Sequence, residues 1–193
     1  MRRDTGHDFG HLWRVLKVAH RLWADEGGRW EIVAAAALCH DLVNLPKNHP
    51  ERHRAADRSA TAAVTLLRRA GFPEVHLDAV RHAIRAHSFS GGHPPRTLEA
   101  RILRDADRLD ALGAVGLARV FAVSGQLGRP LFDLEDPFCE RREPDDRAYA
   151  LDHFFQKLLC LEETLLTEAG RQIARRRTRL LRLYLRALRE ELL

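Results

Sequence analysis

The chain has few cysteines and no long apolar run, which argues against a disulfide-rich protein and against a membrane-spanning one. Its three cysteines, Cys39, Cys139 and Cys160, form no C-x-x-C pair, so a disulfide framework is not expected. No apolar segment approaches the roughly 20 residues that span a bilayer. The N-terminal segment 1–4 also lacks the apolar core of a signal peptide. We therefore expect a reduced, cytoplasmic protein with no membrane partner.

Alternating strand patterns, internal repeats and low-complexity linkers are missing as well. Apolar residues instead recur at helical spacing along most of the chain. With 193 residues and 45% hydrophobic content, the chain is long enough to bury a core. We predict an all-α fold of about eight helices. The helices form a single domain over 1–193, with a core over about 8–125 and a C-terminal helical part over about 148–193.

Capping and stop signals set the predicted helix boundaries. Asp8 is a predicted N-cap, Gly27-Gly28 ends the first helix, and Pro73 suits the first turn of the fourth. The segments 44–54 and 127–147 lack helical periodicity, and loops of such length are often functional. Both are candidates for the substrate mouth. The predicted helices cover about residues 9–26, 31–43, 55–70, 73–87, 97–112, 114–125, 148–166 and 168–192.

One polar pair, His40-Asp41, interrupts the most apolar stretch of the chain. It follows the run Ile32–Cys39, and no Lys or Arg lies between Glu31 and the pair. An ionised carboxylate buried without a partner costs several kcal/mol, so a cation is expected nearby. An imidazole beside a carboxylate is a donor pair that divalent first-row metals accept. A helix that simply ends in a polar turn explains the pair equally well.

Further candidate ligands lie on both sides of this pair. His11 precedes it, and Asp105, Asp107 and Asp110 follow it. Two imidazoles and two carboxylates neutralise a divalent ion and leave coordination positions open, as catalytic sites require. On an ideal helix Asp107 and Asp110 share a face, whereas Asp105 points about 200° away from Asp107. Asp107 is therefore the preferred ligand, and Asp110 is a candidate to orient a ligand imidazole.

Three segments together resemble a known motif. In order and spacing, His11-Leu12-Trp13-Arg14, His40-Asp41 and Asp105-Ala106-Asp107-Arg108-Leu109 resemble the H…HD…D motif of the HD superfamily of metal-dependent phosphohydrolases. Segments 86–89 and 152–158 are similar to the small single-domain bacterial members. The resemblance implies an all-α fold and hydrolysis of a phosphate ester or anhydride. It also implies a divalent metal ion (Mn, Mg, Co, Ni, Fe or Zn) held by His11, His40, Asp41 and Asp107.

The spacing of the remaining histidines favours one metal ion. Superfamily members with two ions use extra histidines between the HD pair and the last aspartate. His82 and His87 share neither i,i+3 nor i,i+4 spacing, so a straight helix cannot direct both at one ion. His87 is instead a candidate hydrogen-bond donor, phosphate contact or proton donor, with an ordinary surface histidine as the alternative.

The other functional residues are assigned by position and resemblance. Lys47 lies in the loop after His40-Asp41, where a phosphate chain would extend, and ordinary surface charge is the alternative. His153 and Lys157, at i,i+4 spacing, either bind phosphate or form a solvated pair. The predicted catalytic residues are His87, Lys47 and Asp110. The predicted substrate-binding residues are Arg14, Lys47, Arg108, His153 and Lys157.

The net charge of +5 is concentrated in the last predicted helix. A solvated face of an amphipathic helix explains this concentration, and a polyanion-binding face is the alternative. Nucleic acid is therefore not the favoured partner. The arginines concerned are Arg171, Arg175, Arg176, Arg177, Arg179, Arg182, Arg186 and Arg189.

By analogy with similar HD proteins, we expect a nucleotide as the small-molecule substrate. The reaction predicted by the same analogy converts a nucleoside triphosphate to a monophosphate and pyrophosphate. The enzymatic alternative is a phosphodiesterase or phosphomonoesterase acting on cyclic or alarmone-type nucleotides. The non-enzymatic alternative is a helical module that binds nucleic acid or a protein partner. Asn44 stands where one nucleotidase branch has a water-activating Glu, so the general base stays unassigned.

Overall fold

The computed structural model describes residues 9–45, 49–88 and 91–192. Within these ranges the chain is predominantly helical and no strand occurs, which confirms the predicted all-α class. No helix in the described part is both long and apolar enough to cross a membrane. The α-helices are α1 (Phe9–Glu26), α2 (Trp30–Cys39), α3 (Ala55–Arg69), α4 (Glu74–His87), α5 (Leu98–Asp110), α6 (Gly113–Gln126), α7 (Asp152–Gln156) and α8 (Glu168–Leu192), and 3-10 turns cover Arg52–Arg54 and Leu158–Thr164.

The chain divides into two compact units, and the division falls inside α5. The first unit contains the described residues up to Asp107 together with Leu166–Gly170. The second contains Arg108–Leu165 and the described residues from Arg171 onward. The single domain over 1–193 stays a prediction, and the predicted N-cap Asp8 lies outside the described residues.

The first unit is built around α2, which is buried on almost every side. Helix α2 packs against both α1 and α4, and α3 packs on α4. The alanines of α2 allow neighbouring helices to approach closely, and Ala36 and Ala37 have no exposed surface. Helix α1 buries Val15, Ala19 and Leu22 as one stripe, with His11 one turn before them. The end of α2 therefore delivers His40 into the interior of this unit.

Helix α2 ends at Cys39, four residues earlier than the sequence predicts. In a continuing helix the N–H of Val43 would donate to the carbonyl of Cys39. It donates instead to Ser59 Oγ of α3 at 3.0 Å, and the same hydroxyl donates to the Val43 carbonyl at 3.3 Å. Ser59 is buried and thus fixes the turn that carries His40-Asp41.

The single helix predicted over 148–166 is wrong, because α7 spans five residues and a 3-10 turn follows it. The backbone N–H groups of Ala150 and Leu151 donate to the carbonyls of Pro130 and Leu131 rather than within a helix. The Asp152 carboxylate then accepts hydrogen bonds from Arg142 at 2.5 and 2.8 Å. These bonds tie the helix-poor segment 127–147 to the start of α7.

Candidate metal centre

Four side chains from three places in the first unit meet at the end of α2. His11 lies in the first turn of α1, His40 caps the C-terminus of α2, Asp41 follows it, and Asp107 lies in α5. The two imidazoles are 2% and 0% exposed, whereas the carboxylates of Asp41 and Asp107 are 18% and 29% exposed. The cluster is therefore closed by histidines on its inner side and accessible through its carboxylates.

The separations within the cluster match those of atoms that share one ion. His11 Nε2 lies 3.3 Å from His40 Nε2. Asp41 Oδ2 lies 3.7 and 3.6 Å from these two nitrogens, and Asp107 Oδ1 lies 3.5 and 3.9 Å from them. Ligand atoms bonded to one ion at about 2.1 Å lie about 3.0 Å apart at a right angle and about 3.4 Å apart at a tetrahedral angle. The structure thus brings together the four residues that the sequence selects.

His40 presents the tautomer that a metal ligand needs. Its Nδ1 lies 2.8 Å from the carbonyl of Ala37, and a carbonyl can only accept, so the ring proton lies on Nδ1. The lone pair of Nε2 is consequently directed at the cluster. Burial lowers the pKa of His40, and the neighbouring His87 lowers it further. The imidazole is therefore neutral near pH 7, as metal binding requires.

The donor chemistry of the cluster fits a divalent cation. Its donors are two imidazole nitrogens and two carboxylates, a set that suits Mn, Fe, Co, Ni and Zn. Two carboxylates beside the buried Nε2 lone pair of His40 repel one another unless a positive charge separates them. The groups His11, His40 and Asp107, and His40, Asp41 and His87, each place one donor atom per residue within 4.8 Å of the others. Thiolate is absent from both groups.

His87 lies beside the cluster and is not an ordinary surface histidine. It is 8% exposed, and its ring meets that of His40 edge to face, with centroids 5.0 Å apart. Its Nδ1 donates to the carbonyl of Ile84 at 2.6 Å, which leaves Nε2 as the atom for a further partner. His82, by contrast, accepts the backbone N–H of Arg96 outside the cluster. This geometry agrees with the prediction that His82 and His87 are not directed at the same ion.

Two of the predicted residues near Asp107 make contacts that the sequence did not anticipate. The Asp110 carboxylate is buried and accepts a hydrogen bond from Arg119 at 2.7 Å. The Arg108 guanidinium donates to the carbonyl of Thr164 at 2.9 Å. Both contacts lie within the second unit and give these residues a structural role there. Their catalytic and substrate-binding roles stay predictions.

The other predicted substrate-binding residues are described by the structure to different extents. Lys47 lies outside the described residues. Arg14 is partly exposed on α1, one turn after His11. His153 Nδ1 lies 2.7 Å from a carboxylate oxygen of Asp146, and exposed Lys157 follows the end of α7. Helix α7 ends at Gln156, and the N–H of Lys157 still donates to the carbonyl of His153 at 3.1 Å, so the shared face expected for this pair stays a prediction.

The sequence analysis missed the positioning roles of two residues. Ser59 holds the turn after His40-Asp41, and its only signal is a hydroxyl among the small residues of α3. Asp105, which the sequence offered as a ligand candidate, is fully buried and accepts the backbone N–H groups of Leu166 and Thr167. It also accepts the Thr167 hydroxyl at 2.7 Å. Its position about 200° from Asp107 was the signal that it faces the core.

Comparisons of the sequence and of the structure with known proteins indicate the same family. The family model described as the HD domain matches residues 8–112. YpgQ of Bacillus subtilis is 33% identical over 193 residues, which is 98% of this chain and 86% of YpgQ. A solved structure of YpgQ in complex with ADP superposes with a TM-score of 0.73 and 33% identity, over 97% of this chain and 87% of that one. An HD-superfamily hydrolase from Bacillus thuringiensis reaches a TM-score of 0.75 at 32% identity, over 98% and 88%.

Proposed function

This chain belongs to the HD domain family and is a metal-dependent phosphohydrolase, and we propose that it converts nucleoside triphosphates to monophosphates and pyrophosphate. The observation that carries the proposal is the meeting of two imidazoles and two carboxylates at ion-sharing distances. This site is buried on one side and open on the other. A catalytic site needs both features, because it must fix the ion and still admit water and substrate.

The proposed ligands of the ion are His11, His40, Asp41 and Asp107. A single divalent ion fits their separations, with Mn, Mg, Co, Ni, Fe and Zn as candidates. When bound, such an ion would lower the pKa of a coordinated water and would act as a Lewis acid toward a phosphoryl oxygen. The hydrogen bond from His40 to the Ala37 carbonyl fixes the ring that carries the ligand nitrogen.

The surrounding residues are proposed to bind the phosphate chain. Arg14 lies one turn after His11 and is partly exposed, so its guanidinium extends from the ligand-bearing end of α1. Lys47 follows Asp41 by six residues in the sequence and is the second proposed cation. The ring of His87 lies beside His40, and because its Nδ1 already donates to Ile84, its Nε2 donates to a phosphate oxygen only when the ring carries a proton on both nitrogens. These groups offset negative charge that develops as the phosphorus–oxygen bond breaks.

The choice of a nucleotide rests on a neighbour as well as on the site. YpgQ has been solved in complex with ADP, and its structure covers almost all of this chain at 33% identity. A nucleoside diphosphate shares its base, ribose and first two phosphates with a triphosphate. The neighbour therefore supports a nucleotide substrate for this chain.

The test is product identification with a panel of substrates and metals. Purified protein is incubated with each ribo- and deoxyribonucleoside triphosphate in Mn²⁺, Mg²⁺, Co²⁺ or Ni²⁺, and phosphorus products are resolved by ion-exchange chromatography. We expect equal amounts of monophosphate and pyrophosphate. Asp41→Ala should show no turnover, whereas Asp25→Ala, which removes an exposed carboxylate of α1, should match the parent.

Two outcomes would contradict the proposal. Release of orthophosphate, or hydrolysis of monophosphates and cyclic nucleotides alone, would indicate the monoesterase or diesterase alternative. Full turnover by Asp41→Ala with metal bound would show that the reaction occurs elsewhere on the chain.

A further inference from the structure

A basic cavity lies on α4, outside the candidate metal centre. Its volume is about 320 Å³, and its lining includes Arg81, His82, Arg85, His93 and Arg96. The first three residues come from the second half of α4, and the other two come from the segment that leads to α5. All five belong to the first unit.

The cavity and the metal centre use different faces of α4. Arg81 and Arg85 are four residues apart and share one face of the helix. His87 follows Arg85 by two residues, and two residues correspond to about 200° around a helix axis. His87 is buried beside His40, whereas the guanidinium groups of Arg81 and Arg85 are 45% and 43% exposed. A ligand in the cavity would therefore bind without contacting the cluster.

Hydrogen bonds already hold the basic groups in place. Arg85 Nε donates to Asp57 Oδ1 at 2.5 Å, and Arg85 Nη2 lies 3.2 Å from His93 Nε2. On the other side, the backbone N–H of Arg96 donates to His82 Nε2 at 3.1 Å and fastens the 91–97 segment to α4. A site whose groups are fixed before binding loses less entropy when the ligand arrives.

The lining offers donors to an anion. His82 accepts at Nε2, so the ring proton lies on Nδ1 and is available for donation. Burial lowers the pKa of His82, and the positive charges of Arg96 and Arg85 lower it further. The described lining also contains one carboxylate, Asp78, which pairs with Arg81 but is 89% exposed, so this pair is weak. Arg85 is also paired with Asp57 beside the cavity, so the three guanidinium groups face two carboxylates and keep an excess of positive charge.

We propose that this cavity is a separate binding site for a phosphate group, supplied either as inorganic phosphate or as the phosphate end of a nucleotide. Guanidinium groups match phosphate oxygens because each presents two parallel N–H donors. The volume lies at the lower end of the range for small-molecule sites, which is roughly 300 to 1,000 Å³. The cavity therefore suits a small phosphate compound and not a protein segment.

The test is calorimetric titration of inorganic phosphate into the metal-loaded full-length protein at constant ionic strength. Arg96→Gln and Arg81→Gln each remove one guanidinium from the cavity. Either change should weaken phosphate binding by about tenfold or more, the loss expected for one hydrogen bond to a charged group. Arg21→Gln, an exposed arginine of α1 in the same unit, is the matched control for the loss of one charge.

A second pair of measurements separates this site from the metal centre. Arg96→Gln should retain nucleotide hydrolysis, and Asp41→Ala should retain phosphate binding at the cavity while it loses hydrolysis. Unchanged phosphate affinity in both arginine variants, relative to Arg21→Gln, would overturn the proposal. Loss of phosphate binding in Asp41→Ala alone would also overturn it, because the anion would then occupy the metal centre.

A nucleoside monophosphate titrated in the same way identifies the source of the phosphate. Equal affinities for inorganic phosphate and the monophosphate, both weakened by Arg96→Gln, would show that the cavity recognises the phosphate group alone. Tighter binding of the monophosphate, weakened by the same change, would identify the nucleotide as the ligand. Insensitivity of both ligands to Arg96→Gln and Arg81→Gln would contradict a phosphate site here.

Discussion

Two aspartates of α5 lie only two residues apart, and replacing each with alanine should impair a different property of the protein. Asp107 lies 3.5 Å from His11 Nε2 and is 29% exposed, which suits a metal ligand. Asp105 is fully buried and bonds to Leu166 and Thr167, which directly precede α8. We predict that Asp105→Ala mainly destabilises the fold and that Asp107→Ala mainly removes metal binding and turnover.

The size of the Asp105 effect follows from its contacts. The carboxylate accepts the N–H of Leu166 at 3.0 Å, the N–H of Thr167 at 2.7 Å and the Thr167 hydroxyl at 2.7 Å. Each buried donor left without a partner costs about 1 to 3 kcal/mol. Water that enters the vacated space recovers part of this cost, so we expect a loss of about 3 to 5 kcal/mol, as for other broken buried charge networks. For a protein of this size, that loss lowers Tm by about 6 to 20 °C.

The Asp107 effect on stability should be small when metal is chelated. When no ion is bound, removal of the Asp107 carboxylate also removes a negative charge close to Asp41. Substitutions at partly exposed positions usually change the free energy of unfolding by less than about 0.5 kcal/mol. Urea unfolding in the presence of a chelator measures the free energy of unfolding of both variants. Turnover with added metal measures their catalytic activity. Equal destabilisation by the two substitutions would refute the assignment. So would a stable Asp105→Ala that fails to retain metal.

Four other outcomes are expected. The bonds between Asp152 and Arg142 hold the pKa of this carboxyl below its usual range although burial alone would raise it, so their stabilisation is complete above about pH 4 and is lost as pH falls through the folded pKa. The stability gap between wild type and Asp152→Asn in urea titrations should accordingly close as the pH falls below about 4, and a gap that widens on acidification would contradict this. Lys47→Ala should lower kcat/KM for a triphosphate by about 1.5 to 3 kcal/mol and much less for a monophosphate; equal losses would show that Lys47 does not contact the distal phosphates. Replacing Arg175, Arg176, Arg179 and Arg182, which are exposed on α8, with glutamine should leave nucleotide turnover unchanged, and a steeply salt-dependent nucleic-acid affinity lost in this variant would revive the binding alternative. Gly170→Ala should lower Tm, because its Cβ would lie 2.6 Å from Thr167 Oγ1 and 2.7 Å from Asp105 Oδ2, and an unchanged Tm would show that this contact relaxes freely.

Local sequence signals were sufficient for most of the helices. The predicted first helix, 9–26, has the bounds of α1 because its apolar stripe and the Gly27-Gly28 stop agree. The meeting of His11, His40, Asp41 and Asp107 could be expected because the motif resembles that of a known superfamily. Periodicity alone does not specify which helices lie side by side.

The errors arose where a distant side chain or a distant backbone carbonyl competes with the helix for backbone N–H groups. Ser59 takes the N–H of Val43 and ends α2 early. Pro130 and Leu131 take the N–H groups that a helix over 148–166 would have used internally. Such partners are separated by 16 to 20 residues in the chain, so no local pattern reports them.

The central claim is that one divalent ion is held by four side chains from α1, α5 and the end of α2. Anomalous diffraction from crystals grown with Mn²⁺ tests it most directly, with Asp41→Ala crystals as the comparison. We predict one anomalous peak per chain, about 2.0 to 2.3 Å from donor atoms of His11, His40, Asp41 and Asp107, and no peak there in the variant. A peak bonded to other residues, or an unchanged peak in Asp41→Ala, would contradict the account.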